Sequence, residues 1–267
     1  MSTTIPQIGL ANIVPGATLL NADERGVNET FIGFLDAASG RHRAYIKILT
    51  GKQLINELVS TTLGRALGLP IPQGYLVRAL PEELPDSTLL RNYGSEIVAF
   101  GSRAIDVPDL RRRYKMDGAQ VVSTLLENWK NWDKAMVFDE WVANSDRHFG
   151  NLLIGSPEDV WLIDHSHCFT GPNWTSADLV PGKSCINQIA DIQIPSLSFS
   201  QRMILKQKII QFAEICRLVD TNSALNASFA SNFIEADELH GLQDFLQLRV
   251  SELAGLISSR LGIPSII

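Results

Sequence analysis

The hydrophobic periodicity of this chain changes near residue 100, and few architectures accommodate such a change. Before it, apolar residues fall in short runs: "GATLLNA" (16–22), "TFIGFLD" (30–36), "RAYIKIL" (43–49), "GYLVRAL" (74–80) and "SEIVAFG" (95–101). Runs of this length, divided by turns such as "DERGVNE" and "AASGRH", read as strands. One helix interrupts them, predicted over 52–67, where Leu54, Ile55, Leu58, Val59, Leu63, Ala66 and Leu67 make a wide apolar stripe. Gly68 suits its end and Pro70 forbids its continuation. Beyond residue 101 the period becomes helical over 118–130, 134–143 and most of 200–267, broken by the apolar runs "NLLIG" and "VWLIDH". The expectation is an α+β protein of two lobes. Residues 1–101 form a strand-rich N-lobe, an antiparallel sheet plus one helix, and residues 102–267 a mainly helical C-lobe.

Charge and cysteine usage narrow the function classes. A net charge of −6 argues against a general nucleic-acid or anionic-membrane binder. The one basic run, Arg111 to Arg113, reads as a solvated helix end. Cys168, Cys185 and Cys216 are odd in number and lack CxxC spacing, so neither a disulfide framework nor a structural zinc site is expected. No run approaches the roughly 18 apolar residues of a membrane span, and the first residues lack the basic start of a signal peptide. The expected location is the cytoplasm.

Polar chemistry concentrates in "ANSDRHFGNLLIG" (143–155) and in "LIDHSHCF" (162–169). Asp146 and Asn151 have a D-x-x-x-x-N spacing, in which a carboxylate orients or deprotonates an attacking hydroxyl while an amide oxygen holds Mg2+. Asp164 lies 13 residues beyond Asn151, an offset that two short strands and a turn would bring back to the same site, where its hard oxygens suit Mg2+. In the amino-terminal half, Lys47 sits mid-strand and Glu57 ten residues on, in the following helix. A Lys held by such a Glu could touch the phosphates of a nucleotide. Singly, each has an ordinary explanation: a snorkelling Lys, a solvated Glu, an Asp or Asn closing a turn. As an ordered set of five on matching elements they point to phosphoryl transfer.

The segment "NSDRHFGNLLIG" followed by "VWLIDHSHCF" resembles the HipA-like kinases, and its "DRHxxN…ID" pattern also resembles phosphatidylinositol 3/4-kinases. The Lys47 strand, the Glu57 helix ending "LGRALGLPIP" and the helical second half extend the likeness over most of the chain. The resemblance implies a protein-kinase-like fold with ATP and Mg2+ in a cleft. By carry-over Asp146 is the catalytic base, Asn151 and Asp164 are metal ligands, and Lys47, held by Glu57, contacts phosphate. It also implies that the segment from Glu96 to Gly101, Phe100 included, approaches adenine as an inter-lobe hinge. The implied substrate is a protein Ser or Thr hydroxyl, with an antitoxin as partner if the chain is a toxin. Two departures stand out. His165 and Ser166, not Phe-Gly, follow Asp164, and no G-x-G-x-x-G precedes Lys47, so Gly26 and backbone N–H groups would have to cover the phosphates.

Other readings stay open. A lipid or small-molecule kinase fits the same residues, and a nucleotide-binding pseudokinase would keep them without transfer. A metal-dependent hydrolase could recruit Asp146, His148, Asp164, His165 and His167. That reading leaves Lys47, Glu57 and Asn151 unused and puts His165 and His167 on one strand face, with Asp164 on the other.

Overall fold

A computed structural model describes residues 4–21, 28–93 and 95–263. The amino-terminal part holds β1 (Gly9–Leu19), β2 (Thr30–Ala37), β3 (Gly40–Lys47), α1 (Lys52–Ala66), β4 (Gly74–Ala79), α2 (Thr88–Tyr93) and β5 (Ile97–Arg103). Then follow α3 (Leu110–Asp117), α4 (Ala119–Glu127), α5 (Trp132–Trp141), β6 (Leu152–Ser156) and β7 (Asp159–Leu162). The chain continues through α6 (Gln188–Gln193), α7 (Phe199–Arg217), α8 (Thr221–Ala227) and α9 (Ala236–Arg260). No described helix is long and apolar enough to cross a membrane, and the three cysteines are free thiols.

The five amino-terminal strands close into a barrel in the order β1-β2-β3-β5-β4. Here the expected antiparallel sheet needs correction. β1 pairs antiparallel with β2 but parallel with β4, and that one parallel seam closes the sheet, which removes its exposed edges. A second short helix, α2, also lies within this part. Alternation along the strands turns Phe31, Leu35, Ala44, Ile46, Val77 and Ala99 into the barrel's own core. Tyr45 and Lys47 therefore face outward from β3.

Helix α1 is buried nearly all round, polar residues included. Leu54 and Leu58 pack with Ile8, Leu49 and Phe100 beneath the barrel. Ile55, Val59 and Leu63 enter the large core of the helical half, beside Phe138, Trp141 and Leu246. Gly68, at φ +70°, takes the left-handed turn that ends the helix. The hairpin of β6 and β7 lies apart from the barrel as a two-stranded sheet.

The segment expected to approach adenine is mostly strand. Residues 97–103 are the strand β5 itself, and Phe100 is buried opposite Lys47 in its register. Glu96 is exposed just ahead of that strand, paired with Arg78 at 2.8 Å. The connection to the helical half begins after Arg103 and reaches α3 at Leu110. Gly26 lies outside the described residues.

Candidate active site

Lys47 is the last residue of β3, where the strand meets α1 and the loop after β7. Its Nζ donates to Glu57 Oε1 at 2.7 Å and lies 3.1 Å from Asp164 Oδ1. Two carboxylates 107 positions apart thus share one ammonium group. Glu57 is 1% exposed, and its second oxygen accepts the backbone N–H of His165 at 3.1 Å. One carboxylate therefore fixes both the lysine and the residue after Asp164.

The electrostatics follow from these contacts. Burial alone would lower the Lys47 pKa, but Asp164 and Glu57 outweigh it and hold the ammonium above its ordinary range. Burial would raise Asp164, yet Lys47 and the Ser166 hydroxyl, donating at 2.8 Å, hold it well below the usual carboxylate range. Glu57 is lowered for the same reason, with Lys47 overcoming its burial. All three are charged near neutrality.

Asp146 and Asn151 come from the turn between α5 and β6. The Asn151 amide donates from Nδ2 to the Asp146 carbonyl at 2.8 Å, which leaves Oδ1 as its ligand atom. The Asp146 backbone N–H is held by Asn144 Oδ1 at 3.2 Å. Its carboxylate is 45% exposed, with His148 Nε2 and His167 Nδ1 each 3.9 Å from Oδ2. Among the described residues no donor is hydrogen-bonded to that carboxylate. His148 Nδ1 accepts the Gly150 N–H at 2.9 Å, which assigns the neutral ring's proton to Nε2.

What holds this loop lies outside the sequence reading. Arg147, 1% exposed, forks onto Asp139 of α5, with Nε to Oδ2 at 2.8 Å and Nη2 to Oδ1 at 3.0 Å. Its Nη1 donates to the carbonyls of Asn151 at 2.8 Å and Ile163 at 2.6 Å. A single guanidinium thereby ties the Asn151 turn to the residue before Asp164. Asp139 also accepts from Asn144 at 3.0 Å, completing a buried network.

Backbone strain gathers around the same groups. Ala143, Asp164, Phe169 and Thr170 all have positive φ, a conformation rarely adopted by residues other than glycine. Phe169 N–H donates to Val142 and Thr170 N–H to Ala143, so the strained segments hold one another in register. Asp164 is not the end of a strand: β7 stops at Leu162, and Asp164 turns with φ 57° toward Lys47. His165 and His167 therefore share no strand face. His165 is buried against Phe138 and Glu57, whereas His167 faces Asp146. No three His, Cys, Asp or Glu side chains among the described residues converge as metal ligands.

The remaining oxygens suit Mg2+. Asp164 keeps Oδ2 free of protein partners among the described residues, and Asn151 offers Oδ1. Hard carboxylate and amide oxygens beside a fixed ammonium are a donor set for a metal-bound polyphosphate.

A family model for HipA-like kinases matches residues 26–179, a span that holds Lys47, Glu57, Asp146, Asn151 and Asp164. The crystal structure of a Helicobacter pylori proinflammatory kinase, CtkA, aligns over 94% of this chain and 98% of its own, with a TM-score of 0.59. At 13% identity that likeness concerns the fold. No curated protein matches the chain.

Proposed function

Because the chain belongs to the HipA-like kinase family, we propose that it transfers the γ-phosphoryl group of ATP to a Ser or Thr hydroxyl of a protein. The observation that carries this reading is the meeting of Lys47, Glu57 and Asp164 around one ammonium. Bound ATP and Mg2+ would supply the transferable group and neutralise its charge. Lys47 would hold the phosphates, and Asn151 Oδ1 with the Asp164 carboxylate would hold the metal. Asp146, open to solvent and unbonded, would accept the hydroxyl's proton.

The two-lobed division, expected between residues 101 and 102 and shifted past Arg103 by the extent of β5, belongs to the same proposal. It is supported by the separate barrel core and helical core, with the Lys47 contacts at their seam. Action in the cytoplasm and restraint by an antitoxin protein complete the reading, the latter resting on the family alone.

The test is incubation with γ-labelled ATP, Mg2+ and cell extract, comparing the native chain with Asp146→Ala and Asp164→Ala. Loss of a base or metal ligand typically costs orders of magnitude in rate. Labelled protein is expected with the native chain and background with both folded variants. Full labelling by Asp146→Ala would remove the assignment.

A further inference from the structure

The basic run at 111–113 is not a featureless helix end. Arg113 is held by Asp117 at 2.9 Å, and Asp109 caps α3 by accepting the Arg112 N–H at 2.9 Å. Arg111, Arg112 and Lys115 are exposed and form no ion pair among the described residues. Three uncompensated cations within one short helix are notable in a chain of net charge −6.

Their placement matters more than their number. α3 packs against the Phe149–Asn151 turn and β6, and the chain beside it bridges Asp109 to Leu153. A β-carbon on Gly150 would meet Arg111 Nη2 at 3.2 Å and the His148 ring at 2.8 Å. The same His148 ring reaches to 3.9 Å from the Asp146 carboxylate. The His148 ring therefore neighbours both the space over Gly150 that Arg111 reaches and the carboxylate that would receive the acceptor's proton. Residue 150 has no side chain to separate Arg111 from that ring.

We propose that Arg111 binds an acidic side chain next to the acceptor hydroxyl, with the exposed Arg112 and Lys115 of the same helix adding to its positive field, so that the substrates are protein segments with Asp or Glu flanking Ser or Thr. The proposal rests on the kinase reading for the acceptor's identity, but the anion site is tested separately from transfer. Guanidinium suits this task because its planar fork matches a carboxylate bidentately. A membrane headgroup is the less fitting occupant. The patch is a single helix of Leu110–Asp117, while surface binding to lipid draws on a basic face backed by a buried apolar one.

The experiment uses fluorescein-labelled peptides with a central Ser, identical except for flanking Glu, Gln or Lys, and reads binding by anisotropy with the intact chain. Glu-flanked peptide is expected to bind about tenfold tighter than the Gln form at low salt, since an exposed ion pair is worth up to about fivefold. That margin should shrink as salt is added. Arg111→Gln and Arg112→Gln should each lower it roughly threefold, and the double reversal Arg111→Glu with Arg112→Glu should favour the Lys peptide. Arg217→Gln, a cation on α7, should leave it unchanged. If the double reversal does not fold, the two single variants carry the test. Equal binding of Glu and Gln peptides, or a preference undiminished in both single variants, overturns the proposal. So does loss of binding to phosphoinositide-containing vesicles in those variants without any peptide preference. A Glu preference reduced in the variants, with no phosphate reaching any peptide when γ-labelled ATP and Mg2+ are added, would sustain the anion site and count against the kinase reading instead.

Discussion

A guanidinium buried as deeply as that of Arg147 is held in place only by a full set of acceptors, and Arg147 has four: two from Asp139 and the carbonyls of Asn151 and Ile163. Burial lowers its pKa and Asp139 raises it, with a net rise. Removing the carboxylate would leave a buried cation uncompensated, a change that costs about 3–5 kcal/mol. Asp139→Ala is therefore expected to lose that much stability in urea denaturation, and with it the register of Asn151 against Asp164. A cost below about 1 kcal/mol would mean that the arginine finds water or another acceptor. The neighbouring Glu140 plays the same part for the end of the chain. It is fully buried and binds Arg249 at 3.2 Å and Arg260 at 2.9 Å, so two adjacent carboxylates on α5 anchor the Asp146–Asn151 turn and α9 separately.

Close approach of strands decides the barrel. Gly33 of β2 sits where a β-carbon would lie 2.7 Å from Ala17 Cβ and 3.0 Å from Ala17 Cα, and backbone cannot rotate away as a side-chain tip can. Gly33→Val should cost roughly 1–3 kcal/mol by overpacking, read as a fall in the denaturation midpoint with an unchanged slope. The alternation of β2 to β4 and the stripe of α1 were legible in the chain, because burial on one face imposes a period that local sequence must carry. β1 was not: expected over 16–22, it runs Gly9–Leu19, and the irregular register between Val14 and Thr18 keeps Pro15 and Gly16 inside the strand. Its parallel pairing with β4 joins residues more than sixty apart, which no local pattern encodes. The polar site divides likewise. Lys47, Glu57 and Asp164 could be singled out by type and spacing, and the structure brings them together. Arg147 and Asp139 could not, since buried ionic partners look like solvated charges until packing is known. An Asp inside the apolar run "KAMVFDEWVA" was the available signal.

At the scale of the molecule, α1 belongs to both cores, and its polar residues stitch the loop after β7 to the barrel. Asn56 donates to the Ser166 and Gly171 carbonyls at 2.7 and 3.0 Å and accepts from Trp174 at 2.8 Å. Lys52 at the start of the helix pairs with Glu238 and lies 4.6 Å from the Trp174 ring. Glu57 is thus fixed from several directions, and the charged cluster at this seam makes global stability depend on pH in separable windows. His165 is 1% exposed, and burial depresses its pKa against the raising influence of Glu57. The unfolded chain then binds that proton first, so its contribution is full above about pH 6.5 and is lost as pH falls below it. Glu57 and Asp164 are depressed too, and their contribution is full above about pH 4.3 and is lost only in stronger acid. Lys47 is raised, so its share persists below about pH 10.4 and fades as alkali deprotonates it. Thermal midpoints measured from about pH 8 to 5 should fall for the native chain. His165→Phe, which keeps an aromatic ring against Phe138 and the backbone bond to Glu57, should flatten that window and leave the steeper acid loss in place. An undiminished slope in the variant would assign the first window to other groups and free His165 from the seam.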